Sequence, residues 1–299
     1  MKKKYKNFLK LSILILWPLC LLIIGFTICS SPVGFDVAQI RCDFYFKEGN
    51  RQKAPSPQNF EKLQNIFSQK FYYLGSGSQS YAFISEDQQY VIKFFNMKHL
   101  TPKYWLNYIP LPWLEKYRFQ KIQMRERKRK EFFDSCEALY HGFKEETGLV
   151  FIHLRKTAYP HDVSHFIDKI GKSHHISLND VPFVVQRKAS MIYDYANELI
   201  DQGKEESAID SLVSVLDLVK RRCRKGYFDR DSGVSNNYGF IEGRPVEIDL
   251  GRVYKDDTIL DSVDQLSEVL RVSGKIEAWI RANHPQLLPF YQDKAQQVL

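Results

Sequence analysis

Cysteine is scarce and unpaired in this 299-residue chain. It has five cysteines, and no two of them have the short spacing of a metal-ligand pair or of a redox motif. No asparagine is followed two positions later by serine or threonine, so the chain offers no acceptor sequence for N-glycosylation. These absences exclude a disulfide-stapled module and a cysteine-based zinc domain.

Positive charge is limited outside the N-terminus. The formal net charge is +8. Lysines near the N-terminus supply +5 of it: Lys2, Lys3, Lys4, Lys6 and Lys10. The remainder has no global basic field, so we expect no nucleic-acid partner. A basic run at residues 125–130 contains no interleaved aromatic residues, which favours a solvated helix face over a lipid or nucleic-acid site.

The composition is that of a globular protein. Hydrophobic residues make up 44% of the chain and charged residues 26%. A chain of this length can bury a substantial core, so we expect one large folded unit rather than disorder.

One long uncharged stretch, residues 11–29, follows the basic segment 1–10. Its nineteen residues are enough to cross a bilayer as a helix, with Pro18 tolerated as a kink. The alternative is a cleaved signal peptide, but no small-x-small site ends the stretch. We therefore predict an uncleaved signal anchor. The lysines predict a cytoplasmic N-terminus and place the globular part across the membrane.

A glycine-rich segment opens the globular part. Residues 72–83 are predicted to form a strand, a tight turn at Gly75-Ser76-Gly77-Ser78 and a second strand. Lys93 follows within an apolar strand at residues 91–95. Glycines let the backbone approach phosphates closely, and a lysine ammonium binds them as a point charge.

Three polar residues recur at fixed spacing near the C-terminus. Asp231 is followed five positions later by Asn236, and Asn236 thirteen positions later by Asp249 in the sequence Asp-Leu-Gly. Phosphoryl transfer uses a carboxylate to orient the attacking hydroxyl, together with an amide oxygen and a second carboxylate to hold magnesium.

Taken in order, these motifs resemble those of the protein kinase-like superfamily: a glycine-rich loop, a strand lysine, a catalytic loop and a D-F-G-like turn. The resemblance covers about residues 72–252. Three positions depart from it: Ser80 replaces the third glycine, Ala82 the following valine and Asp229 the catalytic-loop histidine.

The resemblance implies a role for each matched residue. Asp231 would orient the acceptor hydroxyl, with Arg230 at the arginine position beside it. Asn236 and Asp249 would hold Mg²⁺. The residues expected to bind ATP phosphates are Gly75, Ser76, Gly77, Ser78 and Lys93. A helix glutamate should pair with Lys93, and the candidates are Glu131, which we prefer, Glu126 and Glu137.

The predicted fold class is α+β, a bilobal protein-kinase-like fold with a reduced C-terminal lobe behind one transmembrane helix. The domains are a linker at residues 30–58, an N-lobe with an insertion at 59–188 and a C-lobe at 189–299. The main predicted helices are 59–70, 116–139, two within 190–225, and 261–283.

Only nine residues, 252–260, separate the Asp-Leu-Gly turn from the last predicted long helix, and no A-P-E sequence follows. This tail is too short for the peptide platform of a protein kinase and resembles small-molecule and lipopolysaccharide-core kinases. The sequence thus favours a membrane-anchored phosphotransferase that moves the ATP γ-phosphate to a hydroxyl of a small, sugar or lipid-linked acceptor.

Two other hypotheses stay open at this stage. One is a pseudokinase scaffold that binds nucleotide weakly or not at all, and the other is a membrane protein with chance motifs. The predicted topology bears on the choice, because bacterial extracytoplasmic space holds little ATP. Either the orientation rule fails here, the domain occupies an ATP-containing compartment, or the fold no longer uses ATP.

Overall fold

The computed structural model describes residues 35–41, 57–77, 79–108, 112–155, 163–229, 233–251, 253–255 and 262–299. The helices, in chain order, are α1 (Pro57–Phe67), α2 (Met97–Leu100), α3 (Glu115–Gly142), α4 (Ile192–Asp201), α5 (Glu205–Arg224), α6 (Ser262–Asn283) and α7 (Leu288–Val298). The first six strands are β1 (Lys70–Ser76), β2 (Ser80–Ser85), β3 (Tyr90–Phe95), β4 (Leu149–His153), β5 (Val163–Ile167) and β6 (Ser173–Ser177). The others are β7 (Phe183–Arg187), β8 (Ser190–Met191), β9 (Tyr227–Asp229), β10 (Tyr238–Ile241), β11 (Arg244–Glu247) and β12 (Val253–Lys255).

The N-terminal lobe is built on one large sheet. Among the described residues, seven strands form it in the order β4-β7-β3-β2-β1-β5-β6. All neighbours are antiparallel except β1 and β5, which are parallel. The predicted α+β class is therefore confirmed.

The side chains of β3 alternate between the two faces of the sheet, and each face packs against a separate hydrophobic core. Successive strand residues point to opposite faces. Ile92 and Phe94 are fully buried on one face, in a cluster with Phe67 and Phe83, whereas Phe95 packs on the other face against α3. Lys93 shares the face of Phe95 and so points towards the second lobe.

Helix α3 covers that second face. The predicted inward residues Phe132, Phe133, Cys136 and Leu139 are all buried there. Their spacing of three and four residues matches one side of a helix, and the rest of the helix is strongly polar.

The C-terminal lobe is a helical bundle around α5. Its predicted apolar side is buried against α6 and α7. Glutamates at positions 205 and 206 begin α5 and arginines at 221, 222 and 224 end it, which complements the helix dipole. Gly203, with φ of +74°, permits the tight turn between α4 and α5.

Part of the predicted linker belongs to the N-lobe. Residues 35–41 contain a short 3₁₀ helix, Val37–Gln39, and both Phe35 and Ile40 are buried in the sheet core. The Phe35 ring packs edge-on against Tyr81 and Phe83, and the Tyr81 hydroxyl donates to Gln39 at 2.6 Å. A seven-residue segment is too short to show periodicity, which is why no pattern in the sequence predicted this contact.

Replacing Phe35 with alanine should lower the Tm by about 6 °C or more, because the missing ring leaves a cavity in the N-lobe core. Thermal unfolding of the whole chain measures the change. Phe290→Ala is the matched control, since Phe290 is 65% exposed on α7 and its loss should matter little. Equal Tm values for the Phe35 variant and the unsubstituted chain would show that the segment contributes nothing.

The predicted transmembrane segment, residues 11–29, lies outside the described residues. Within the described part of the chain, none of the helices is both long and apolar enough to span a bilayer.

Candidate functional site

A cleft of about 320 Å³ lies between the sheet and the C-terminal lobe. The residues that line it are Gly77, Gln79, Ser80, Lys93, Phe95, Phe132, Val184, Gly233, Asn236, Asn237, Asp249, Leu250 and Gly251. Four residues predicted from sequence, Gly77, Lys93, Asn236 and Asp249, thus meet in one place. A larger cavity of about 780 Å³ lies beside Arg187 and the β10–β11 hairpin, but it contains none of them.

The glycine-rich hairpin forms the roof of the cleft. Strands β1 and β2 are antiparallel with an irregularity between Tyr73 and Gly75, and the Gly77 amide donates to the Ser80 carbonyl at 3.0 Å. Gly75 and Ser76 lie in β1 away from the cleft lining, where Ser76 Oγ accepts from the Tyr73 hydroxyl at 2.8 Å. Ser78 lies outside the described residues.

Lys93 is fixed at the centre of the sheet, paired with Ala82 on β2 and Val184 on β7. Its Nζ donates to the Ile248 carbonyl at 2.5 Å. The residue as a whole is partly exposed to the cleft, whereas Nζ is surrounded by protein atoms. Burial lowers the pKa of Lys93 to about 8, and the nearby carboxylate of Asp249 opposes that shift.

Asp249 begins a tight turn at the floor of the cleft. Its Oδ1 accepts from the Gly251 amide at 3.0 Å. Within the described residues no hydrogen bond to its Oδ2 is present. A side chain at position 251 would collide with Gln79, since a Cβ there would lie 1.9 Å from Gln79 Oε1. The glycine therefore lets the roof and floor of the cleft approach each other.

Asn236 lies beside Asp249 because the residues next to them in sequence, Asn237 and Ile248, are hydrogen-bonded to each other. The Ile248 amide donates to the Asn237 carbonyl at 2.8 Å, and the turn before it is closed by the Asn237 amide bonding to Val234. Asn236 is exposed at the surface of that turn. The two oxygen-bearing side chains consequently share the floor of the cleft.

Asp231 and Arg230 lie outside the described residues. Strand β9 leads directly to them and is paired with β12. The amide of Asp229, the last residue of β9, donates to Glu268 Oε1 at 3.2 Å. The start of the predicted catalytic loop is thus attached to α6.

The helix glutamates do not reach Lys93. Glu131, the preferred candidate, has a side chain 57% exposed and lies 3.8 Å from Arg127. Glu126 accepts from the Tyr104 hydroxyl, and Glu137 pairs with Arg155 at 2.8 Å. The physical reason is helix register: α3 directs positions 132, 136 and 139 inwards, and Glu131 lies a third of a turn away from them.

Two residues on the inward face of α3 lie beside the site, although no role there was predicted for them. Ser135 Oγ donates to the Leu250 carbonyl at 2.7 Å and so attaches the helix to the Asp249 turn. Cys136 is fully buried near Lys93 and Asp249, and burial raises the pKa of its thiol well above the ordinary range. Their spacing to Phe132 and Leu139 was a usable signal, but the expectation of a glutamate outweighed it.

The donor set fits Mg²⁺ accompanied by a nucleotide. A carboxylate and an amide oxygen are hard ligands, and Mg²⁺ at phosphate-transfer sites is normally held by one or two protein groups together with phosphates and water. Among the described residues no cluster of three or more His, Cys, Asp and Glu side chains could form an all-protein metal cage. Asn236 and Asp249 would hold the ion only together with a bound ligand.

Comparison with known proteins finds solved structures that resemble the chain at low sequence identity and low TM-score. No family model and no curated protein sequence matches the chain. Among solved structures, the bifunctional kinase-methyltransferase WbdD is 16% identical over 73% of this chain, with a TM-score of 0.33. The ROP18 kinase domain in complex with AMP-PNP and sucrose is 14% identical over 67% of the chain, with a TM-score of 0.33. Rv3197 from Mycobacterium tuberculosis, in complex with erythromycin, is 15% identical over 68%, with a TM-score of 0.30.

The chain spans 43% of the length of WbdD, 62% of the ROP18 chain and 53% of Rv3197. Overlaps of this size assign neither substrate nor activity. The protein itself has a mostly antiparallel sheet carrying a glycine-rich hairpin and a central lysine, a covering helix, and a cleft floored by Asn236 and Asp249. This chain has a kinase-like fold.

Proposed function

We propose that the protein is an ATP- and Mg²⁺-dependent phosphotransferase. The observation that carries the proposal is the meeting of Gly77, Lys93, Asn236 and Asp249 in one cleft, although they come from distant parts of the sequence. Chance motifs have no reason to converge in this way, and a cleft with convergent charged and amide groups is the usual form of a phosphate site.

Each residue has a distinct task in this mechanism. Lys93 binds phosphate oxygens, and the backbone around Gly77 covers them. Asn236 and Asp249 hold the metal, which when bound neutralises charge on the phosphates. Asp231 orients the acceptor hydroxyl and takes its proton, and Arg230 lies next to it in sequence.

A pseudokinase is the second candidate, and the surroundings of Lys93 favour it. Among the described residues, no carboxylate lies within 4 Å of Lys93 Nζ, which binds the Ile248 carbonyl instead. The departures Ser80 and Asp229 point the same way. This candidate predicts a folded protein that binds Mg-ATP weakly or not at all and never transfers phosphate.

We further propose a small, sugar or lipid-linked acceptor. Ten residues, 252–261, separate Gly251 from the start of α6 at Ser262, and the described ones among them form the three-residue strand β12, which leaves little chain for a peptide platform. Labelled ATP incubated with the protein and a total membrane extract should place label in the lipid or saccharide fraction. Label found only in polypeptide, and lost in Asp231→Asn, would contradict the choice of acceptor but leave phosphotransfer intact.

We also propose that the domain lies against a membrane. If residues 11–29 span a bilayer, five residues remain before Phe35, which is buried in the N-lobe. Five extended residues reach roughly 17 Å. The exposed aromatic side chains of Tyr108, Trp113 and Phe119 suit an interface with lipid.

Protease accessibility in intact cells measures which side of the membrane holds the domain. The N-terminal lysines predict the side opposite the cytoplasm. Protection of the domain until the cells are opened would contradict that orientation and would place it with cytoplasmic ATP.

Nucleotide binding at pH 8 should take up about half a proton per site, because Lys93 is about half neutral there and a bound phosphate would restore its charge. The affinity should then fall as the pH rises above 8. Titration calorimetry in two buffers of different ionisation enthalpy measures the uptake. Lys93→Met should abolish the buffer difference, and a difference that persists in this variant would assign the proton to another group.

A further inference from the structure

A charged cluster is buried in the C-terminal lobe, apart from the cleft. Arg222 on α5 is 1% exposed, and its guanidinium lies between two carboxylates. Nη1 donates to Glu247 Oε1 and Nη2 donates to Glu268 Oε1. Both glutamates are themselves buried. Burial raises the pKa of Glu247 to about 8, against the opposing effect of Arg222. Burying such a charged cluster is costly, and apolar residues of similar volume often stabilise a fold equally well.

The two carboxylates belong to the two segments that carry the predicted chemistry. Glu247 ends β11, two residues before Asp249. Glu268 lies on α6 and accepts from the amide of Asp229, two residues before Asp231. Arg222 is therefore a single side chain that connects the metal-binding turn with the start of the catalytic loop.

The cluster is not arranged for maximal stability. Tyr238 on β10 lies close enough to Arg222 to interact with it electrostatically. Arg222 Nε and the Tyr238 hydroxyl are both buried, and neither has a hydrogen-bond partner among the described residues. Unsatisfied buried polar groups reduce stability. What the cluster does supply is geometry, because the rigid guanidinium fork fixes the relative position of the groups that it binds.

We propose that Arg222 is a positioning residue, which sets Asp249 relative to Asp229, where the predicted catalytic loop begins, by joining Glu247 to Glu268. This inference rests on the proposed function. Arg222 does not line the cleft and acts only through these two carboxylates. Its loss should reduce the part of nucleotide affinity that depends on Mg²⁺ and leave metal-free nucleotide binding unchanged.

The test uses the triple variant Arg222→Met/Glu247→Gln/Glu268→Gln in the full chain. It avoids leaving two unpaired carboxylates in the core, and the Glu268→Gln change keeps a side-chain oxygen that can accept from the Asp229 amide. The dissociation constant of ATP is measured once with Mg²⁺ and once with EDTA. The constant in EDTA divided by the constant in Mg²⁺ is the magnesium gain. We expect that gain to fall at least tenfold while the EDTA value changes less than twofold.

Arg221→Met is the matched control, since the neighbouring arginine is exposed and should leave the magnesium gain unchanged. A triple variant that folds and keeps the full gain would overturn the proposal. If the triple variant does not fold, Arg222→Lys replaces it: it keeps the buried charge but lacks the two-nitrogen fork, and an unchanged gain there overturns the proposal equally.

Hydrogen exchange separates this inference from the proposed function. In the triple variant, or in Arg222→Lys if the triple variant does not fold, amides at 227–229 and at 247–251 should both exchange faster, whether or not the protein binds nucleotide. If the unsubstituted chain fails to bind ATP, the proposed function fails, and faster exchange in both segments still supports the connection through Arg222. If amide exchange is unchanged in either segment, the connection through Arg222 is refuted.

Discussion

Asp249→Asn should weaken Mg-ATP binding by about 10–100-fold, because it removes a carboxylate charge from the metal. The side chain borders the cleft, and its Oδ1 already accepts from the Gly251 amide. Asparagine can keep that hydrogen bond, so the turn should retain its shape. Binding of a non-hydrolysable ATP analogue, measured by calorimetry with Mg²⁺ and with EDTA, isolates the metal-dependent part.

Asp217→Asn is the control for this substitution, since it makes the same change on the exposed side of α5. Its affinity should match that of the unsubstituted chain. A folded Asp249→Asn variant with full magnesium-dependent affinity would remove Asp249 from the metal site.

Asp231→Asn should lower turnover by about 10²–10⁴-fold while leaving Mg-ATP affinity nearly unchanged. The acceptor hydroxyl would lose its proton acceptor, whereas the groups proposed to bind phosphate and metal, Lys93, Asn236 and Asp249, remain in place. Initial rates of phosphate transfer and the dissociation constant of Mg-ATP should be measured on the same preparation. Asp217→Asn again serves as the control.

The pair of substitutions tests the division of roles. If Asp231→Asn and Asp249→Asn reduced binding equally, neither assignment would hold. If neither changed turnover, the cleft would not be the site of the reaction.

The convergence of the motif residues was expected from the resemblance to the protein kinase-like superfamily, whereas spacing along the chain sets residue positions only within each half of the site. A lysine in the strand after a glycine-rich hairpin, and an asparagine and aspartate on either side of a short hairpin, have their positions set by local strand pairing. The buried face of α5 could also be predicted, since its apolar residues recur with helical spacing.

Other features depend on contacts that no local pattern encodes. Helix α3 is charged around most of its surface, so sequence alone does not say whether any glutamate faces Lys93, and each of the three candidates pairs elsewhere. The parallel pairing of β1 with β5 joins strands far apart in sequence. The Arg222 cluster likewise brings together residues from α5, β11 and α6.

Binding of Mg-ATP to the whole chain tests the proposed function most directly. A ligand that binds only the folded state raises the Tm, and the rise continues as the ligand concentration exceeds the dissociation constant. We predict a Tm that increases with Mg-ATP up to millimolar concentration, and a smaller increase in Asp249→Asn. A folded sample whose Tm does not move at millimolar Mg-ATP would contradict phosphotransfer and leave a kinase-like fold without nucleotide.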